Sequence, residues 1–165
     1  MKRKIILILI IFLILASGCV SEEPQTCKDA VAEIPQLIAD AQDYPTAQVQ
    51  RIVDGDTLVL TNGKKVRLIG IDTPEKSYEY YSEAGDYLGS LTLNKTLYLE
   101  QDVSETGKYG RYLYYLYTDD LFVNAEMVSS GYAESYPYEP DTKHSFLFDC
   151  LETHAKEKNL VIWTS

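Results

Sequence analysis

The sequence predicts an α+β protein whose main domain is a five-stranded β-barrel with three helices, preceded by a short helical extension. Two observations favour this class. After residue 45, short runs rich in Val, Ile and Leu alternate with turn signals, which is typical of a small barrel. Helical spacing of apolar residues then occurs once after the third run and twice near the end of the chain, an order that suits a Greek-key barrel.

Short apolar segments separated by turns account for the strands. Asp54-Gly55 and Asn62-Gly63 are strong hairpin signals, so the first three strands should form a meander. A polar turn over residues 104–108 separates the last two strands. The five predicted strands span residues 47–53, 57–60, 65–71, 96–103 and 112–117.

Apolar residues at helical spacing account for the helices. In segment 27–42 the pattern is interrupted by Pro35, so we expect one kinked helix or one short helix there. In the barrel domain, Gly131 is a suitable stop for the second helix. The three helices predicted in this domain span residues 82–93, 121–129 and 142–158.

The first 18 residues have the layout of a secretory signal peptide. A basic start over residues 2–4 precedes an apolar run over 5–15, which is too short for an easy membrane span. Small residues then stand directly before Cys19, as in a lipobox. We therefore expect a lipid on Cys19, and plain secretion or an uncleaved anchor helix are the alternatives.

This layout divides the chain into three parts. Residues 1–18 are the expected lipoprotein-type signal peptide, 19–45 a tether with an accessory helix, and 46–165 the barrel domain. The mature protein would be extracytoplasmic, held at the cell membrane by the lipid on Cys19 or secreted. Two lipid chains on that residue would make the anchoring stable, because one chain alone binds only marginally. We expect a monomer.

Export also sets the expected state of the other cysteines, Cys27 and Cys150. Two thiols in an oxidising compartment can pair. We predict a disulfide between them, which would join the N-terminal segment to the last helix. Two free thiols are the alternative.

Charge restricts the partners of this protein. The full chain has a formal net charge of −10, and loss of the basic residues 2–4 leaves 12 basic against 25 acidic residues, a net charge of −13. Nucleic-acid binders are usually basic, because phosphate neutralisation supplies most of their affinity, so the overall field here repels nucleic acid. A site for such a partner must be local and assisted by a cation.

The densest polar cluster comes from two strand ends and the strand between them. It comprises Asp54-Gly55-Asp56-Thr57, Arg67 and Asp72-Thr73-Pro74-Glu75. An arginine among large aliphatic residues must face solvent or pair with carboxylates. Neighbouring strands can bring Asp56 and Asp72 together, and two carboxylates with backbone carbonyls suit a hard cation such as Ca²⁺. The structural alternative is an ordinary hairpin turn, a loop start and a surface ion pair.

Four segments closely resemble the staphylococcal nuclease family. Arg51 to Thr57 and Val66 to Glu75 contain the polar cluster, Lys108-Tyr109-Gly110-Arg111 adds a second arginine near a barrel end, and Ala155 to Trp163 matches the ending. They occur in the family's order, and the similarity extends over residues 46–165. The resemblance implies an OB-fold barrel with three helices. It also implies Ca²⁺-dependent hydrolysis of DNA and RNA by metal-assisted attack of water, leaving 3′-phosphates.

Carried over position by position, the resemblance implies a role for each polar residue. Asp54 would support the metal ligands without binding the metal itself. His144 and His154 receive no catalytic role, because both lie far in sequence from the carboxylates. The implied roles are metal binding by Asp56, Asp72 and the carbonyl of Thr73, catalysis by Arg67 and Arg111 as phosphate-binding groups and Glu75 as general base, and substrate contacts by Tyr109, Tyr136 and Tyr138.

Two departures from the family pattern bear on substrate capture. Segment 76–83 is rich in tyrosine where the staphylococcal enzyme is longer and rich in lysine, and the surface is acidic. Both suggest weaker capture, a higher KM, or a stronger dependence on salt and Ca²⁺. A catalytically weak nucleic-acid-binding module and a structural envelope lipoprotein are the competing hypotheses. The complete set of matched polar residues favours the enzyme.

Overall fold

The computed structural model describes residues 26–164, so the expected signal peptide and the lipidation site Cys19 lie outside the described residues. Within this range the chain forms five helices, seven strands and a 3₁₀ turn at Val161–Trp163. The helices are α1 (Cys27–Ala32), α2 (Ile34–Ala41), α3 (Tyr81–Thr92), α4 (Val123–Ser129) and α5 (Ser145–Glu157). The strands are β1 (Thr46–Ile52), β2 (Thr57–Leu60), β3 (Lys65–Leu68), β4 (Ile71–Asp72), β5 (Thr96–Glu100), β6 (Tyr112–Tyr117) and β7 (Glu134–Ser135).

Five of these strands close into a barrel in the order β1-β2-β3-β6-β5. The pairs β1–β2, β2–β3, β5–β6 and β1–β5 are antiparallel, whereas β3 and β6 are parallel. The chain reaches β6 from β3 through β4, α3 and β5, so the connection crosses over instead of continuing the meander. This closed barrel with its helices confirms the predicted α+β class and the OB fold.

The barrel forms because its strands supply large aliphatic side chains to one interior. All four residues of β2 are buried, and Leu58, Leu60 and Val66 are fully enclosed. Burial of each such side chain stabilises the fold by about 1.5–3 kcal/mol. On the outside, α4 packs on β6, and α5 packs on α4. Phe148 of α5 belongs to the same core as the barrel residues.

A break at Gly70 divides the predicted third strand, so the prediction of one strand over 65–71 is wrong. Gly70 has a φ of +75°, and a Cβ there would lie 2.8 Å from Cε2 of Phe148. Only glycine fits this left-handed backbone against the aromatic ring. Beyond the break, β4 leaves the barrel and pairs with β7 in a separate two-stranded sheet. Asp72 is thereby carried on a different sheet from Arg67.

Strand β5 ends at Glu100, three residues before the predicted end at Val103. The chain leaves the sheet here, and Asp102 forms hydrogen bonds with residues outside β5. Its Oδ2 accepts hydrogen bonds from Lys143 N (3.0 Å) and from the hydroxyl of Tyr115 (3.1 Å). These contacts tie the end of β5 to the segment before α5.

The N-terminal extension forms two short helices instead of one kinked helix. Glu33 separates α1 from α2, and Pro35 lies in the first turn of α2, where its missing N–H costs no helical hydrogen bond. A disulfide joins Cys27 of α1 to Cys150 of α5, with an S–S distance of 2.01 Å. The extension is therefore attached covalently to the barrel domain. Across residues 26–164, each helix is too short or too polar to cross a membrane.

Candidate active site

Arg67 is the centre of the polar cluster, and its guanidinium pairs with two carboxylates. Its Nε lies 3.1 Å from Oδ1 of Asp56, and its Nη2 lies 2.8 Å from Oδ1 of Asp72. Its Nη1 donates to the carbonyl of Leu68 at 2.9 Å. The Arg67 side chain is only 13% exposed. Of the two possibilities for an arginine in an aliphatic strand, pairing with carboxylates is the one observed.

A close approach of two loops brings Asp56 against Thr73. Oδ2 of Asp56 accepts hydrogen bonds from the hydroxyl (3.0 Å) and the backbone N–H (3.3 Å) of Thr73. Gly55 makes this approach possible, because a Cβ there would lie 2.8 Å from Oγ1 of Thr73 and 2.7 Å from Cβ of Ala84. The glycine of the Asp-Gly turn is therefore required by packing as well as by the hairpin.

Strand register places a second guanidinium near Asp56. Thr57 lies opposite Arg67 in the β2–β3 pair, and its hydroxyl donates to Oδ1 of Asp56 at 2.8 Å. Nη1 of Arg111 lies 3.4 Å from the same hydroxyl oxygen. We call Asp54, Asp56, Thr57, Arg67, Asp72 and Arg111 the Arg67 cluster. Arg67 thus pairs with the buried Asp56 carboxylate directly, and Arg111 is connected to it through the Thr57 hydroxyl.

The Arg67 cluster contains more negative charge than Arg67 neutralises. Burial raises the pKa of Asp54, and the nearby charge of Asp56 raises this pKa further. Burial also raises the pKa of Asp72; Arg67 opposes this effect, but the charges of Asp56, Glu75 and Glu134 add to it. Burial is the main cause of both raised pKa values, and repulsion between neighbouring carboxylates adds to it. An added cation would relieve this repulsion.

The donor set fits a hard cation better than a soft one. Asp56 and Asp72 offer carboxylate oxygens, and the backbone carbonyl of Thr73 would add a third oxygen ligand of the kind Ca²⁺ takes. The Asp72 side chain is 46% exposed, so an ion can reach it from solvent. Within residues 26–164, no three His, Cys, Asp or Glu side chains come together as a metal-binding group. A cation here would therefore need oxygen ligands beyond the two carboxylates.

Two further carboxylates, Asp54 within the Arg67 cluster and Glu75 next to it, lie beside Asp56 and Asp72. Oδ1 of Asp54 accepts a hydrogen bond from the backbone N–H of Asp56 at 3.3 Å, which fixes the turn that presents Asp56. Asp54 also lines an open groove of about 650 Å³ between the end of β1 and α3. Glu75 is exposed, and it is close enough for its charge to raise the pKa of Asp72. Both carboxylates can be reached from solvent.

The three predicted substrate-binding tyrosines are exposed, and within residues 26–164 only Tyr109 contacts a member of the Arg67 cluster. The ring centroid of Tyr109 lies 5.7 Å from the guanidinium carbon of Arg111. Tyr136 follows β7, and its N–H donates to the carbonyl of Gly70 at 2.9 Å, directly before β4. Tyr138 lies in a turn closed by Asp141, and its side chain makes no hydrogen bond to the Arg67 cluster within residues 26–164.

The sequence assigned no role in the site to three residues that shape it. Thr57 connects Asp56 to Arg111, Gly55 allows the approach of Thr73, and Glu134 lies opposite Asp72 in the β4–β7 pair. The first two belong to the same Asp-Gly-Asp-Thr segment as Asp56, which was the available signal. Nothing in the local sequence marks Glu134, because the pairing of β4 with β7 depends on the break at Gly70.

A second polar cluster lies at the end of β5, and we call Tyr44, Glu100, Tyr117, Lys143 and His144 the Glu100 cluster. Glu100 is only 3% exposed. It accepts hydrogen bonds from the hydroxyl of Tyr117 (2.6 Å), Nε2 of His144 (2.9 Å) and the hydroxyl of Tyr44 (3.3 Å), and it pairs with Nζ of Lys143.

The donors around Glu100 determine its ionisation. Burial alone would raise the pKa of Glu100, but hydrogen bonds from His144, Lys143 and Tyr117 outweigh burial and lower it to about 2. The cluster is therefore a structural ion-pair network. The absence of a catalytic role for His144 stays a prediction, and its observed partner is this buried glutamate.

The fold and the Arg67 cluster together define a class: a small OB-fold protein with a polar site suited to a cation and an anionic ligand. The family model described as "Staphylococcal nuclease homologue" matches residues 65–165. The chain is 32% identical over 124 residues to the thermonuclease of Staphylococcus intermedius, an alignment that covers 70% of this chain and 74% of that protein.

Two further relatives agree with this match. The thermonuclease of Staphylococcus hyicus is 30% identical over 129 residues, covering 73% of this chain and 76% of that protein. Endonuclease YncB of Bacillus subtilis (strain 168) is 37% identical over 127 residues, covering 70% of this chain and 60% of that protein. The chain belongs to the staphylococcal nuclease homologue family.

Proposed function

We propose that this protein is an extracytoplasmic, Ca²⁺-dependent nuclease that hydrolyses phosphodiester bonds of DNA or RNA and leaves 3′-phosphates. The observation that carries the proposal is the Arg67 cluster, in which two guanidinium groups flank carboxylates that carry excess negative charge. Such a site can bind a cation and a phosphate side by side. The names of the relatives, thermonuclease and endonuclease, support the same activity.

The arginines would bind the phosphate. A phosphodiester carries one negative charge and gains a second as water attacks, so the site must stabilise added charge on the phosphate oxygens. A guanidinium has five N–H donors, and the contacts of Arg67 within the described residues use three of them. The other two are free for a phosphate oxygen, and Arg111 adds planar paired donors.

The carboxylates would perform the remaining chemistry. Asp56, Asp72 and the carbonyl of Thr73 would hold Ca²⁺, whose charge lowers the cost of the added negative charge on phosphate. Glu75 is exposed and lies near Asp72, so it would accept a proton from the attacking water. The water oxygen bonds to phosphorus, the bond from phosphorus to the 5′-oxygen breaks, and the 5′-oxygen takes up a proton. The phosphate stays on the 3′ side.

The cellular location is also proposed. The layout of residues 1–18 and the small residues before Cys19 support export and a lipid anchor. The disulfide between Cys27 and Cys150 suits an oxidising compartment. On this basis the mature protein is a monomeric enzyme held at the outer side of the membrane.

One assay tests the activity. The mature protein without its lipid is incubated with single-stranded DNA in Ca²⁺ or in EGTA, from neutral to alkaline pH. We expect cleavage in Ca²⁺ only, and 3′-phosphate ends by end-group mapping. An absence of cleavage in Ca²⁺ at every pH would favour a nucleic-acid-binding module instead.

Three variants test the residue roles. Arg67→Ala, Arg111→Ala and Glu75→Gln should each lower kcat by about 100- to 1000-fold, because each removes a group that acts on the transition state. Phe146→Ala is the matched control, since Phe146 is 43% exposed on α5 and should keep wild-type kcat. Circular dichroism should show that all four variants fold. Near-wild-type turnover in the three site variants would contradict the assignment.

A further inference from the structure

Tyr78 lies beside Glu75 in the short loop between β4 and α3. The N–H of Tyr78 donates to the carbonyl of Glu75 at 2.8 Å, which closes a tight turn. The Tyr78 side chain is 70% exposed, one of the most exposed large side chains in the described residues. An aromatic ring in solvent is therefore presented one turn away from the proposed general base.

The far end of this loop is braced, which restricts the backbone around Tyr78. Tyr80 has a φ of +64°, and its hydroxyl lies 3.0 Å from Oγ1 of Thr164. Because the hydroxyl of Thr164 donates to the carbonyl of Val161 at 2.7 Å, Tyr80 is the donor in this pair. The carbonyl of Tyr80 accepts a hydrogen bond from the N–H of Ala84 at 2.9 Å, at the start of α3. The loop is thus tied to Glu75 at one end and to α3 and the C-terminal segment at the other.

An exposed tyrosine on a loop tied at both ends suits base stacking. Every nucleobase has an aromatic face, and stacking on a side chain needs no positive charge on the protein. A tyrosine presents this area with few rotatable bonds to order on binding. This chain has a net charge of −10, so it cannot rely on a basic surface to capture substrate. Stacking beside the cleavage site would supply affinity that the protein's charge does not.

We propose that Tyr78 is a substrate-binding residue that stacks on an unpaired nucleobase next to the phosphate being cleaved. The proposal rests on the proposed nuclease function and deepens it. Tyr109 and Tyr136 contact Arg111 and the start of β4, whereas Tyr78 is placed by Glu75, so it adds a separate position for a base. The base must be unpaired, because a stacked ring occupies the face that its neighbours in a duplex would cover.

The first test compares Tyr78→Ala with Tyr78→Phe in the mature protein. Fluorescence anisotropy measures binding of single-stranded oligonucleotides, and KM and kcat are measured on the same strands in Ca²⁺. Tyr78→Ala should raise Kd and KM by about 5- to 150-fold, as for loss of one stacked base. Tyr78→Phe should keep wild-type Kd and KM, because its ring stacks equally well. Equal loss in both variants, or in neither, would overturn the proposal.

A matched exposed residue separates stacking from a general loss of aromatic surface. Phe146 on α5 is also exposed, and Phe146→Ala should bind as the wild type does. The slope of log Kd against log salt concentration should be the same for Tyr78→Ala and wild type, because no charge is removed. A reduced slope in Tyr78→Ala would mean that the loop contacts phosphate instead, and would contradict the proposal.

An abasic scan locates the stacked base. Single abasic positions are introduced along the oligonucleotide, and Kd is measured for wild type and Tyr78→Ala. One position should weaken wild-type binding but leave Tyr78→Ala unchanged, since the partner ring is already absent. If every abasic position costs both proteins equally, Tyr78 does not stack on a base.

Binding to an inactive variant keeps this test independent of the proposed activity. The same comparison is made in a Glu75→Gln background, where the strands stay intact. A failure of the wild type to cleave would contradict the nuclease proposal. Equal binding by Glu75→Gln and the double variant Glu75→Gln/Tyr78→Ala would contradict the stacking proposal.

Discussion

The Arg67 cluster and the Glu100 cluster both contain buried or partly buried carboxylates, yet their charges are balanced in opposite ways. In the Arg67 cluster, Arg67 pairs with Asp56 and Asp72, Asp54 lies beside Asp56, and the pKa values of Asp54 and Asp72 are raised. In the Glu100 cluster, one carboxylate receives four donors, and its pKa falls to about 2. Burial raises the pKa in both places, so the number of donors decides the outcome.

The difference shows how a binding site can be told from a structural ion pair. Glu100 is satisfied by its neighbours, so ionisation of this carboxylate stabilises the folded state. The Arg67 cluster is less completely compensated, because burial and the charges of Asp56, Glu75 and Glu134 raise the pKa of Asp72 despite its pairing with Arg67. Its excess negative charge is available to an added cation. We infer that the Glu100 cluster contributes to stability and that the Arg67 cluster contributes to ligand binding.

Asp56→Asn should produce the largest effect on activity, because it removes one carboxylate charge from the Arg67 cluster, which carries excess negative charge. Partners of metal ligands typically contribute 10- to 100-fold to metal affinity or activity, so loss of a proposed ligand should lower kcat/KM by more than about 100-fold. Stability without metal should change by less than about 1 kcal/mol, since lost hydrogen bonds are offset by relief of repulsion. Initial rates and urea unfolding measure the two quantities. A large loss of stability with activity retained would reverse the assignment of this cluster.

Glu100→Gln should have the opposite effect, a loss of stability with activity retained. Removing one member of a buried charged network costs about 3 kcal/mol, which lowers Tm by about 6–12 °C for a chain of this size. The value of kcat at 25 °C should stay near the wild-type value, because Glu100 pairs with none of the Arg67 cluster. Glu157→Gln is the control, since Glu157 is exposed and should shift stability by less than about 0.5 kcal/mol.

Acid should remove the difference between Glu100→Gln and the wild type. The pKa of Glu100 is about 2 in the folded protein against 4.5 for an unperturbed glutamate. Its contribution is therefore fully present above about pH 4.5 and is lost as pH falls toward 2, a change of about 3 kcal/mol. Urea unfolding at pH 5, 4 and 3 should show the two proteins converging. A gap that stays constant over this range would contradict the lowered pKa.

Tyr44→Phe should give the smallest effect. The hydroxyl of Tyr44 reaches Oε1 of Glu100 at 3.3 Å from the segment before the barrel, and Glu100 keeps its other donors when this one is removed. We expect a loss of about 0.5–1 kcal/mol in the free energy of unfolding. Tyr98→Phe, which removes a hydrogen bond to exposed Asp119, should cost less. A loss in Tyr44→Phe as large as that in Glu100→Gln would mean that the extension, not the buried network, carries the stability.

Local signals predicted most of the barrel, because its strands are separated by turns that the sequence marks directly. Asp54-Gly55 and Asn62-Gly63 define the first hairpins, and the structure has strands on both sides of each. Gly70 was missed as a break because it lies inside a run of aliphatic residues. The ring that requires glycine there belongs to Phe148, which is remote in sequence. Only the tertiary contact distinguishes this glycine from one in a continuous strand.

The two clusters also differ in how far the sequence could predict them. Asp56, Arg67 and Asp72 lie within one short stretch, so their pattern could be noticed and matched to a family. Glu100 and His144 are 44 residues apart, and neither lies in a polar segment that suggests the other. The Glu100 cluster therefore could not be predicted from residue spacing, although it involves a histidine that the sequence singles out.

The disulfide between Cys27 and Cys150 has a consequence for resistance to proteolysis. The bond spans a sequence separation of 123 residues and so turns nearly the whole domain, with every barrel strand, into one covalent ring. A protease that cuts a single exposed loop between these cysteines opens the ring without producing two separate fragments. Both ends stay linked, and the packed core can keep them in place. A nicked molecule would migrate as a single chain until a reductant is added.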